Sequence, residues 1–508
     1  MLISRFHLAP CELTAFRLAR KGVDARKKSQ IRFVYSVEFS VADEEGFWRL
    51  HHPEKDIERI PFRTRRQVTK IASGKRVIIV GAGPAGLFAA IRLTEYGILP
   101  VILERGKEVE KRVKDIDSFW KSGDLDPESN VQFGEGGAGT FSDGKLTTRL
   151  RDENISYILE TMVRFGAPEE ILFLAKPHIG TDRLRRVIVN IRCHLESLGA
   201  VFRFQERLTD LVPFNGRLAS AIINDRTEER CDLLMLAPGN SARDTYSMLL
   251  RRGIRIEAKP FAVGVRIEHP QELIDRIQYG PARHPSLPPA DYALTWNNGR
   301  TGRSAYSFCM CPGGVVVAAA SEEGGVATNG MSDYLRDSPF ANSALVVTVG
   351  KDDFPDDSPL AGIAFQRSLE RAAFTLGGGR YRAPAQNLLS FLGGKDRYQL
   401  TSTYLPGVVE ADLSSILPGF VTDSLREGIR SFDRKMRGFI TNEATLTGVE
   451  TRTSSPVRIV RGEDLQSLSL KGLYPVGEGA GYAGGIMSSA LDGVRAADAI
   501  ARDLNLNP

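Results

Sequence analysis

Residues 75–106 of this 508-residue chain, KRVIIVGAGPAGLFAAIRLTEYGILPVILERG, carry the pattern from which the fold can be inferred. Val77 to Val80 is a short apolar run typical of a buried parallel strand. A glycine turn follows, then a helix expected from Leu87 to Tyr96, and then a second strand from Val101 to Leu103. This order predicts a βαβ unit within a doubly wound α/β fold.

The glycine turn has the spacing of a dinucleotide-binding loop. Gly81, Gly83 and Gly86 form G-x-G-x-x-G between the strand and the helix. The first glycine permits the tight turn, the second lets a pyrophosphate approach the backbone, and the third lets helix and strand pack closely. Glu104 follows Gly86 by 18 residues, where a carboxylate can accept hydrogen bonds from ribose hydroxyls. Together these features predict a dinucleotide site.

A second glycine-rich stretch occurs at residues 132–146, QFGEGGAGTFSDGKL. It repeats the same spacing, but turn residues follow it and no βα unit surrounds it. We interpret it as a loop that brings the backbone at Gly136 and Gly137, beside Lys145, close to a flat or anionic ligand. A flexible surface loop is the alternative.

A third glycine-rich element lies near the C-terminus, at residues 472–500, GLYPVGEGAGYAGGIMSSALDGVRAADAI. A strand from Leu473 to Val476 meets Gly477 and Glu478, and a helix begins after Gly485. This is a further backbone cradle at a helix N-terminus, in which Glu478 could bind a ribityl hydroxyl and Ile486 a ring system. Two separated cradles indicate a long ligand that lies across one sheet. This suits FAD better than NAD, because NAD needs only the first cradle.

Several longer phrases make the chain recognisable. NVQFGEGGAGTFSDGKL, KPHIGTDRLR, APGNSARDT, YSFCMCPGGVVVAAASEEGG, TRTSSPVRI and GEGAGYAGGIMSSALDG resemble the uncharacterised FAD-dependent dehydrogenase family of the glutathione-reductase-like flavoprotein superfamily. The N-terminal VDARKKSQIRFVYSV resembles the small leading domain of that family. The family usually has a His where this chain has Asn240.

The resemblance implies a flavoprotein in which a cap domain is inserted into the FAD-binding sheet. Together with the glycine loops it predicts the FAD contacts, which are Gly81, Gly83, Pro84, Ala85, Gly86, Glu104, Arg105, Gly136, Gly137, Gly239, Gly477, Glu478, Gly485 and Ile486. We expect a small basic α+β domain over 1–70, ending in the charged stretch 59–70, and FAD-binding segments over 71–250 and 441–508. A mixed α/β substrate or cap domain would occupy 251–440.

The N-terminal unit is expected to combine a helix over 12–19 with a strand over 31–39. Residues 1–70 contain 15 Lys and Arg against 9 Asp and Glu, whereas the rest of the chain is nearly neutral. A basic unit can attract nucleic acid, but we favour an ordinary solvated surface.

Candidates for the chemistry are few. His178 is a possible general acid, with a hydrogen-bonded structural histidine as the alternative. Arg452 is the arginine we favour, over Arg303 and Arg458, for clamping an acidic substrate. The cysteine pair Cys309 and Cys311 could relay electrons beside a flavin, but we favour buried structural cysteines. Glu322 or Glu323 could be a proton-handling carboxylate, but we favour a solvated turn for both. The sequence has no cluster typical of a metal site.

Composition agrees with a globular enzyme: 42% of residues are hydrophobic and 25% are charged. Five cysteines without framework spacing and no apparent signal or membrane segment predict a cytoplasmic protein. The favoured function is a FAD-dependent dehydrogenase or reductase that moves hydride between flavin and an unidentified small molecule. NAD(P)H could act as a transient electron donor, because the sequence has no second strand–GxGxxG–helix unit for a resident nicotinamide. The alternatives are a flavin monooxygenase, an RNA-modifying flavoprotein and a flavin-binding protein without turnover.

Overall fold

The N-terminal unit is an antiparallel hairpin flanked by two short helices. The computed structural model describes residues 2–52, 54–60, 68–281, 284–396 and 398–506. The elements of the unit are α1 (Leu2–Phe6), β1 (Leu13–Asp24), β2 (Arg32–Val41) and α2 (Glu44–His51). Backbone hydrogen bonds from Lys21 to Phe173 and from Ala175 to Lys21 attach the hairpin to the following unit. Residues 61–67, where this unit was expected to end, lie outside the described residues.

Strand β1 corrects one prediction. The helix expected over 12–19 does not form, because residues 13–24 pair with β2 from Leu13 opposite Val41 to Asp24 opposite Arg32. Helix propensity is a weak preference, and an extended partner strand overrides it. The strand predicted over 31–39 is confirmed, since it lies within β2 apart from its first residue.

The chain then enters the expected βαβ unit. This part contains β3 (Val77–Val80), α3 (Pro84–Glu95), β4 (Val101–Glu104), α4 (Val109–Ser122), α5 (Asn154–Arg164), α6 (Thr181–Ser197), β5 (Val201–Phe204), β6 (Leu208–Phe214), β7 (Arg217–Ile223), β8 (Thr227–Arg230), β9 (Leu233–Leu236) and α7 (Arg243–Arg251). Strands β6, β7 and β8 form a separate antiparallel sheet.

The inserted unit is built on a larger sheet. Its elements are β10 (Ile256–Ala258), β11 (Phe261–Pro270), α8 (Gln271–Tyr279), β12 (Thr295–Asn297), β13 (Ser304–Cys311), β14 (Val315–Ala318), β15 (Thr328–Met331), β16 (Phe340–Val349), α9 (Ala361–Leu376), β17 (Ala383–Asn387), α10 (Leu388–Phe391), β18 (Val408–Glu410), α11 (Gly419–Lys435), β19 (Thr445–Glu450) and β20 (Val457–Ile459). Seven strands form one sheet in the order β12-β13-β16-β11-β19-β17-β18.

The C-terminal segment returns to the first unit with β21 (Leu473–Pro475) and α12 (Ile486–Leu506). The resulting parallel sheet has the order β21-β9-β3-β4-β5. Alternate residues of β3 enter different cores: Val77 and Ile79 pack with α3 and α12, whereas Ile78 and Val80 pack with β6, β7 and α7. Both faces of the sheet are therefore covered, as its continuous apolar strands require.

The pairing of β19 corrects a predicted boundary. We expected the chain to return to the cofactor-binding unit at residue 441, but β19 lies between β11 and β17 in the seven-stranded sheet. All six of its residues are buried there, so this segment belongs to the inserted unit. Among the described residues, no helix combines the length and the apolar character needed to cross a membrane.

Candidate functional site

A cavity of about 1060 Å³ lies between the carboxyl ends of the parallel strands and the inserted sheet. This is the edge at which open α/β sheets bind ligands. Thirteen of the predicted site residues line it: Gly81, Gly83, Pro84, Ala85, Glu104, Arg105, Gly137, Gly239, Arg452, Gly477, Glu478, Gly485 and Ile486. Three do not: Gly86, Gly136 and His178.

Gly86 and Gly136 serve the packing behind the cavity wall. A Cβ atom at Gly86 would collide with the carbonyl oxygen of Gly81, so a glycine is needed for α3 to approach β3. A Cβ atom at Gly136 would collide with the Thr140 and Ile188 side chains, and its φ of +84° also favours glycine. Both positions therefore shape the loops without contacting the cavity.

The first two motif glycines build the cradle. Gly81 has a φ of +100° and lies against the carbonyl oxygen of Ala237. A Cβ atom at Gly83 would lie 3.7 Å from the Cα atom of Gly137, an ordinary van der Waals distance, so the backbones of the two glycine-rich loops are in contact at these positions. Both glycines also line the cavity beside the N-terminus of α3, where backbone groups free of side chains can bind a pyrophosphate.

Glu104 joins the two glycine-rich loops. Its Oε2 atom accepts a hydrogen bond from the Ala82 backbone N–H at 2.8 Å. Its Oε1 atom accepts from Gly106 at 2.9 Å and from Gly134 at 3.0 Å. A carboxylate offers about four acceptor positions. The cavity-facing carboxylate therefore keeps capacity for the ribose hydroxyl that the sequence predicts.

Arg105 is positioned by several partners. It pairs with Glu128 at 2.8 Å and with Asp244 at 2.9 Å. Its guanidinium lies 4.0 Å from the centre of the Phe133 ring. The side chain thus forms a fixed part of the cavity wall, where its planar face can stack on an aromatic ligand.

Sequence reasoning missed Arg112 of α4, which is fully buried beneath the second glycine-rich loop. Its guanidinium donates hydrogen bonds of 2.7 to 3.2 Å to the backbone carbonyls of Asn130, Val131, Gly134, Glu135 and Gly137. This one side chain therefore holds the loop in its curved path. No sequence signal distinguishes it from the other charged residues of the amphipathic helix.

At the C-terminal cradle, Glu478 contacts Asn240. The Asn240 Nδ2 atom donates a hydrogen bond to Glu478 Oε1 at 2.8 Å. Burial raises the pKa of the Glu478 carboxyl to about 7, although the hydrogen bond from Asn240 acts in the opposite direction. The cavity wall thus contains a carboxyl group that can hold or release a proton near neutral pH.

Arg452 lines the cavity, but its expected role as a substrate clamp needs correcting. Its Nε and Nη2 atoms bind the two oxygens of Glu370 at 3.0 and 3.1 Å. Nη1 donates to the hydroxyls of Ser241 and Ser321. Because the forked edge that would bind a carboxylate is already occupied, Arg452 is a positioning residue. Of the other two arginines considered, Arg303 pairs with Asp353.

The Glu370 carboxylate lies at the centre of a buried charge network. It also accepts hydrogen bonds from Arg243 at 2.9 Å, and the two guanidinium groups hold its pKa far below the ordinary value for Glu. Arg243 pairs in addition with Glu322, which also binds Arg367. The expectation of a merely solvated turn at Glu322 is therefore wrong, because two ion pairs fix its carboxylate.

His178 lies in the wall behind the cavity. Its Nε2 atom is 3.0 Å from the Tyr334 carbonyl oxygen, and its ring stacks on the Tyr334 ring with 5.6 Å between centres. Burial, assisted by the charge of Arg336, lowers its pKa to about 4. These contacts match the structural alternative and give no support to a general-acid role.

The far part of the cavity is walled by side chains of the inserted sheet and of the 142–149 loop. Its polar lining residues are Ser142, Asp143, Lys145, Thr147, Thr148, Arg149, Thr295, Asn297, Ser304, Tyr306, Ser307, Cys309, Asn329, Thr348, Glu450 and Thr453. Cys311 is buried as expected, but Cys309 is partly exposed to the cavity. The expectation that both cysteines are buried is thus wrong for Cys309. The described residues contain no group of three or more His, Cys, Asp or Glu that could hold a metal ion.

Comparison with known proteins agrees with this geometry. Residues 75–114 match the model of a FAD binding domain, and residues 260–453 match the model described as FAD-dependent protein, C-terminal domain-like. An uncharacterised protein of Clostridium beijerinckii is 46% identical over 517 residues, which cover 99% of this chain and 96% of that protein.

Solved structures give more distant likenesses. A geranylgeranyl bacteriochlorophyll reductase-like protein from Thermoplasma acidophilum has 13% identity and a TM-score of 0.39, over 85% of this chain and 79% of that one. The flavin-dependent brominase Bmp2 has 14% identity and a TM-score of 0.38, also over 85% and 79%. TM-scores this low do not establish a common fold. The family and the cofactor are therefore assigned from the sequence matches alone.

The residues present fit the cofactor named by these models. The facing glycines can accept a pyrophosphate, Glu104 can accept a ribose hydroxyl, and the Gly477–Ile486 cradle extends the same cavity toward the inserted sheet. The chain therefore belongs to the same family as the C. beijerinckii protein and is a FAD-dependent flavoprotein, with FAD as its cofactor.

Proposed function

We propose that this protein is a FAD-dependent oxidoreductase of the dehydrogenase or reductase type, within the glutathione-reductase-like superfamily. It would transfer hydride between flavin and a small polar molecule. The observation that carries the proposal is the continuity of one cavity, which begins at the two facing glycine-rich loops and ends at a wall of hydroxyl and charged side chains. A cofactor and a second small molecule can therefore share the same enclosed space.

Each part of the chain has a separable task in this proposal. When bound, FAD supplies the two-electron redox chemistry. The backbone around Gly83 and Gly137 receives the pyrophosphate, and Glu104 orients the ribose. Side chains of the inserted sheet, such as Tyr306 and Ser307, bind and orient the polar substrate.

Proton transfer is assigned to Glu478. Hydride transfer to or from a polar molecule is commonly accompanied by movement of a proton, and a general acid or base works best with a pKa near the ambient pH. Glu478 lines the cavity, and burial brings its pKa to about 7. The neighbouring Asn240 amide keeps its carboxyl oriented through the 2.8 Å hydrogen bond.

We infer that the electron donor is a nicotinamide dinucleotide that binds transiently. The experiment is an anaerobic titration of the purified protein with NADH and NADPH, followed at the flavin band of roughly 450 nm. Bleaching by either nucleotide supports a nicotinamide-driven reductase. Bleaching that is followed by oxygen consumption and hydroxylated product would instead identify a monooxygenase. A flavin that no nicotinamide and no small-molecule panel bleaches would contradict the proposed function.

The cofactor site has its own test. Gly83→Glu introduces a carboxylate into the cavity wall beside the N-terminus of α3, where it would repel the pyrophosphate, so the purified variant should be colourless. Gly419→Glu is the matched control, because Gly419 is exposed and nothing lies within 4 Å of a Cβ atom added there. A Gly83→Glu protein that keeps its yellow colour would refute this placement of the cofactor.

A further inference from the structure

The backbone at the cysteine pair departs from a regular strand. Strand β13 pairs with β16, but its register shifts between Phe308 and Cys311. Cys309, inside this irregularity, has a φ of +45°, which residues other than glycine adopt rarely. The regular two-residue spacing, which would disfavour direct reaction between Cys309 and Cys311, is therefore absent from this segment.

The two cysteines are held close together but differ in exposure. Cys309 lines the cavity and is partly exposed, whereas Cys311 is fully buried behind it. Cys311 Sγ donates a hydrogen bond to the Cys309 carbonyl oxygen at 3.3 Å. Arg266, also buried, donates to the same oxygen at 3.0 Å. The pair is thus held in one arrangement, with one sulfur facing the cavity.

The charges around the pair favour a thiolate at Cys309. The neighbouring Cys311 thiol has the largest effect in lowering the Cys309 pKa. Burial acts in the opposite direction, and the positive charges of Lys145 and Arg266 lower the pKa further. The same contact and burial raise the pKa of Cys311. The carboxylates near Cys309 are Asp143, Glu450 and Glu478.

Two of these carboxylates are neutralised by other partners. Arg336 binds Asp143 through Nε at 2.9 Å, and Arg266 pairs with Glu450 at 2.9 Å. The Lys145 Nζ atom is 3.9 Å from the nearest Asp143 oxygen, beyond hydrogen-bond distance, and Lys145 lines the same cavity as Cys309. Lys145 can therefore stabilise negative charge on the Cys309 sulfur.

We propose that Cys309 and Cys311 form a dithiol site that reduces small disulfides entering the cavity. A cavity-facing thiolate with a second thiol directly behind it is the arrangement that thiol–disulfide exchange requires. The inference goes beyond the proposed function and does not depend on it, because the exchange needs no flavin.

Reduction of the disulfide takes two successive exchange reactions. The Cys309 thiolate attacks one sulfur of a disulfide RSSR′, which forms the mixed disulfide Cys309–S–S–R and releases R′S⁻. The Cys311 thiol gives its proton to the released thiolate, and its sulfur then attacks Cys309 and releases RS⁻. Two electrons pass from the pair to the disulfide, leaving a Cys309–Cys311 bond, one small thiol R′SH and one thiolate RS⁻, which takes a proton from solvent according to its own pKa.

The test uses full-length protein and glutathione disulfide as the probe. Cys11 and Cys193 are exposed and would also react, so both are replaced by Ser in the test protein. Intact mass spectrometry should show a loss of about 2 Da without added glutathione, because the pair closes into a disulfide. The same protein with Cys311→Ser should instead retain one glutathione, mapped to Cys309, because the resolving thiol is missing.

Alkylation by iodoacetamide at pH 6 gives a second readout. It does not need the Cys311→Ser variant, so it remains available if that variant fails to fold. In the wild-type chain, Cys309 should react about tenfold faster than the exposed Cys193, and Lys145→Met should reduce this advantage. Lys121→Met is the control, since Lys121 is exposed on α4. An unreactive Cys309, or one no faster than Cys193, would overturn the proposal, as would glutathione disulfide that leaves the pair reduced.

Discussion

The two ends of the cavity are built in different ways. The cradle end consists mainly of backbone groups from two loops and is lined by Gly81, Gly83, Pro84, Ala85, Glu104, Gly134 and residues 137–139. The far end, formed by residues 142–149, β13 and Glu450, consists of side chains from elements up to about 300 residues apart. The shape of the cradle end depends on its glycines and on buried side chains, such as Arg112, that hold the loops in place. The far end depends on how the inserted sheet packs, and its surface can vary without disturbing the cofactor.

The largest effect is expected when Arg112, which supports the loop at the cradle end, is replaced. Arg112→Met removes five hydrogen bonds to loop carbonyls in a fully buried position and leaves those oxygens unpaired. We expect the free energy of unfolding to fall by about 4–5 kcal/mol and the flavin to be lost. Chemical denaturation and the visible spectrum measure both.

Lys114→Met on the same helix is the control for Arg112→Met, because Lys114 is exposed. Its free energy of unfolding should change by less than about 0.5 kcal/mol. An Arg112→Met protein of wild-type stability that retains flavin would show that the cradle does not need this support.

The next effect concerns the buried charge network around Glu370, which positions the cavity-lining Arg452. Glu370→Gln removes the negative charge shared by Arg243 and Arg452, and we expect a loss of about 3–4 kcal/mol at neutral pH. Because the folded-state pKa of Glu370 is depressed, its contribution is complete above the ordinary Glu pKa and is lost as the pH falls below it. The difference between wild type and variant, measured by urea unfolding, should therefore shrink in acid.

Glu427→Gln on α11 controls for the loss of an exposed carboxylate and should leave the stability curve unchanged. A Glu370→Gln difference that stays constant down to low pH would contradict the charge-network explanation.

Glu478 lies in the C-terminal cradle, and a change of pH tests whether its carboxyl group is protonated near neutrality. Its pKa is raised from 4.5 to about 7, so the folded protein binds the proton more tightly than the unfolded chain. Stability of the flavin-free protein should therefore fall by about 1–3 kcal/mol as the pH rises from about 4.5 to 7. Glu478→Gln should remove this slope, whereas Glu443→Gln, on an exposed loop, should keep it. Equal slopes in wild type and Glu478→Gln would refute the assignment.

The smallest effect is expected at the far end. Tyr306→Phe removes a cavity-lining hydroxyl but keeps the ring that packs on Ala262, Ala344 and Val346. The free energy of unfolding should change by less than about 0.5 kcal/mol, and the flavin should remain bound. Loss of flavin from this variant would show that the two ends are not separable. Chemical denaturation measures the free energy of unfolding, and the visible spectrum measures the flavin content.

Local patterns predicted secondary-structure elements correctly where the determinants are close together in the chain. The strand Val77–Val80 and the helix that follows it form as expected, because apolar run, turn and helix are contiguous in the chain. The helix expected over 12–19 failed, because its conformation depends on pairing with β2. The boundary at 441 failed for a similar reason, since β19 is placed by its neighbours β11 and β17.

The βαβ unit, the glycine loop and the acid that follows it could be predicted from residues 75–106 alone, because backbone curvature and phosphate contact require particular residues at short, regular spacing. The contacts of Arg112, Arg452 and Cys309 could not be predicted in this way. A charged or thiol side chain has no fixed role until its partners are known, and those partners come from distant segments of the chain. The fold creates the buried environments that select one role for each residue.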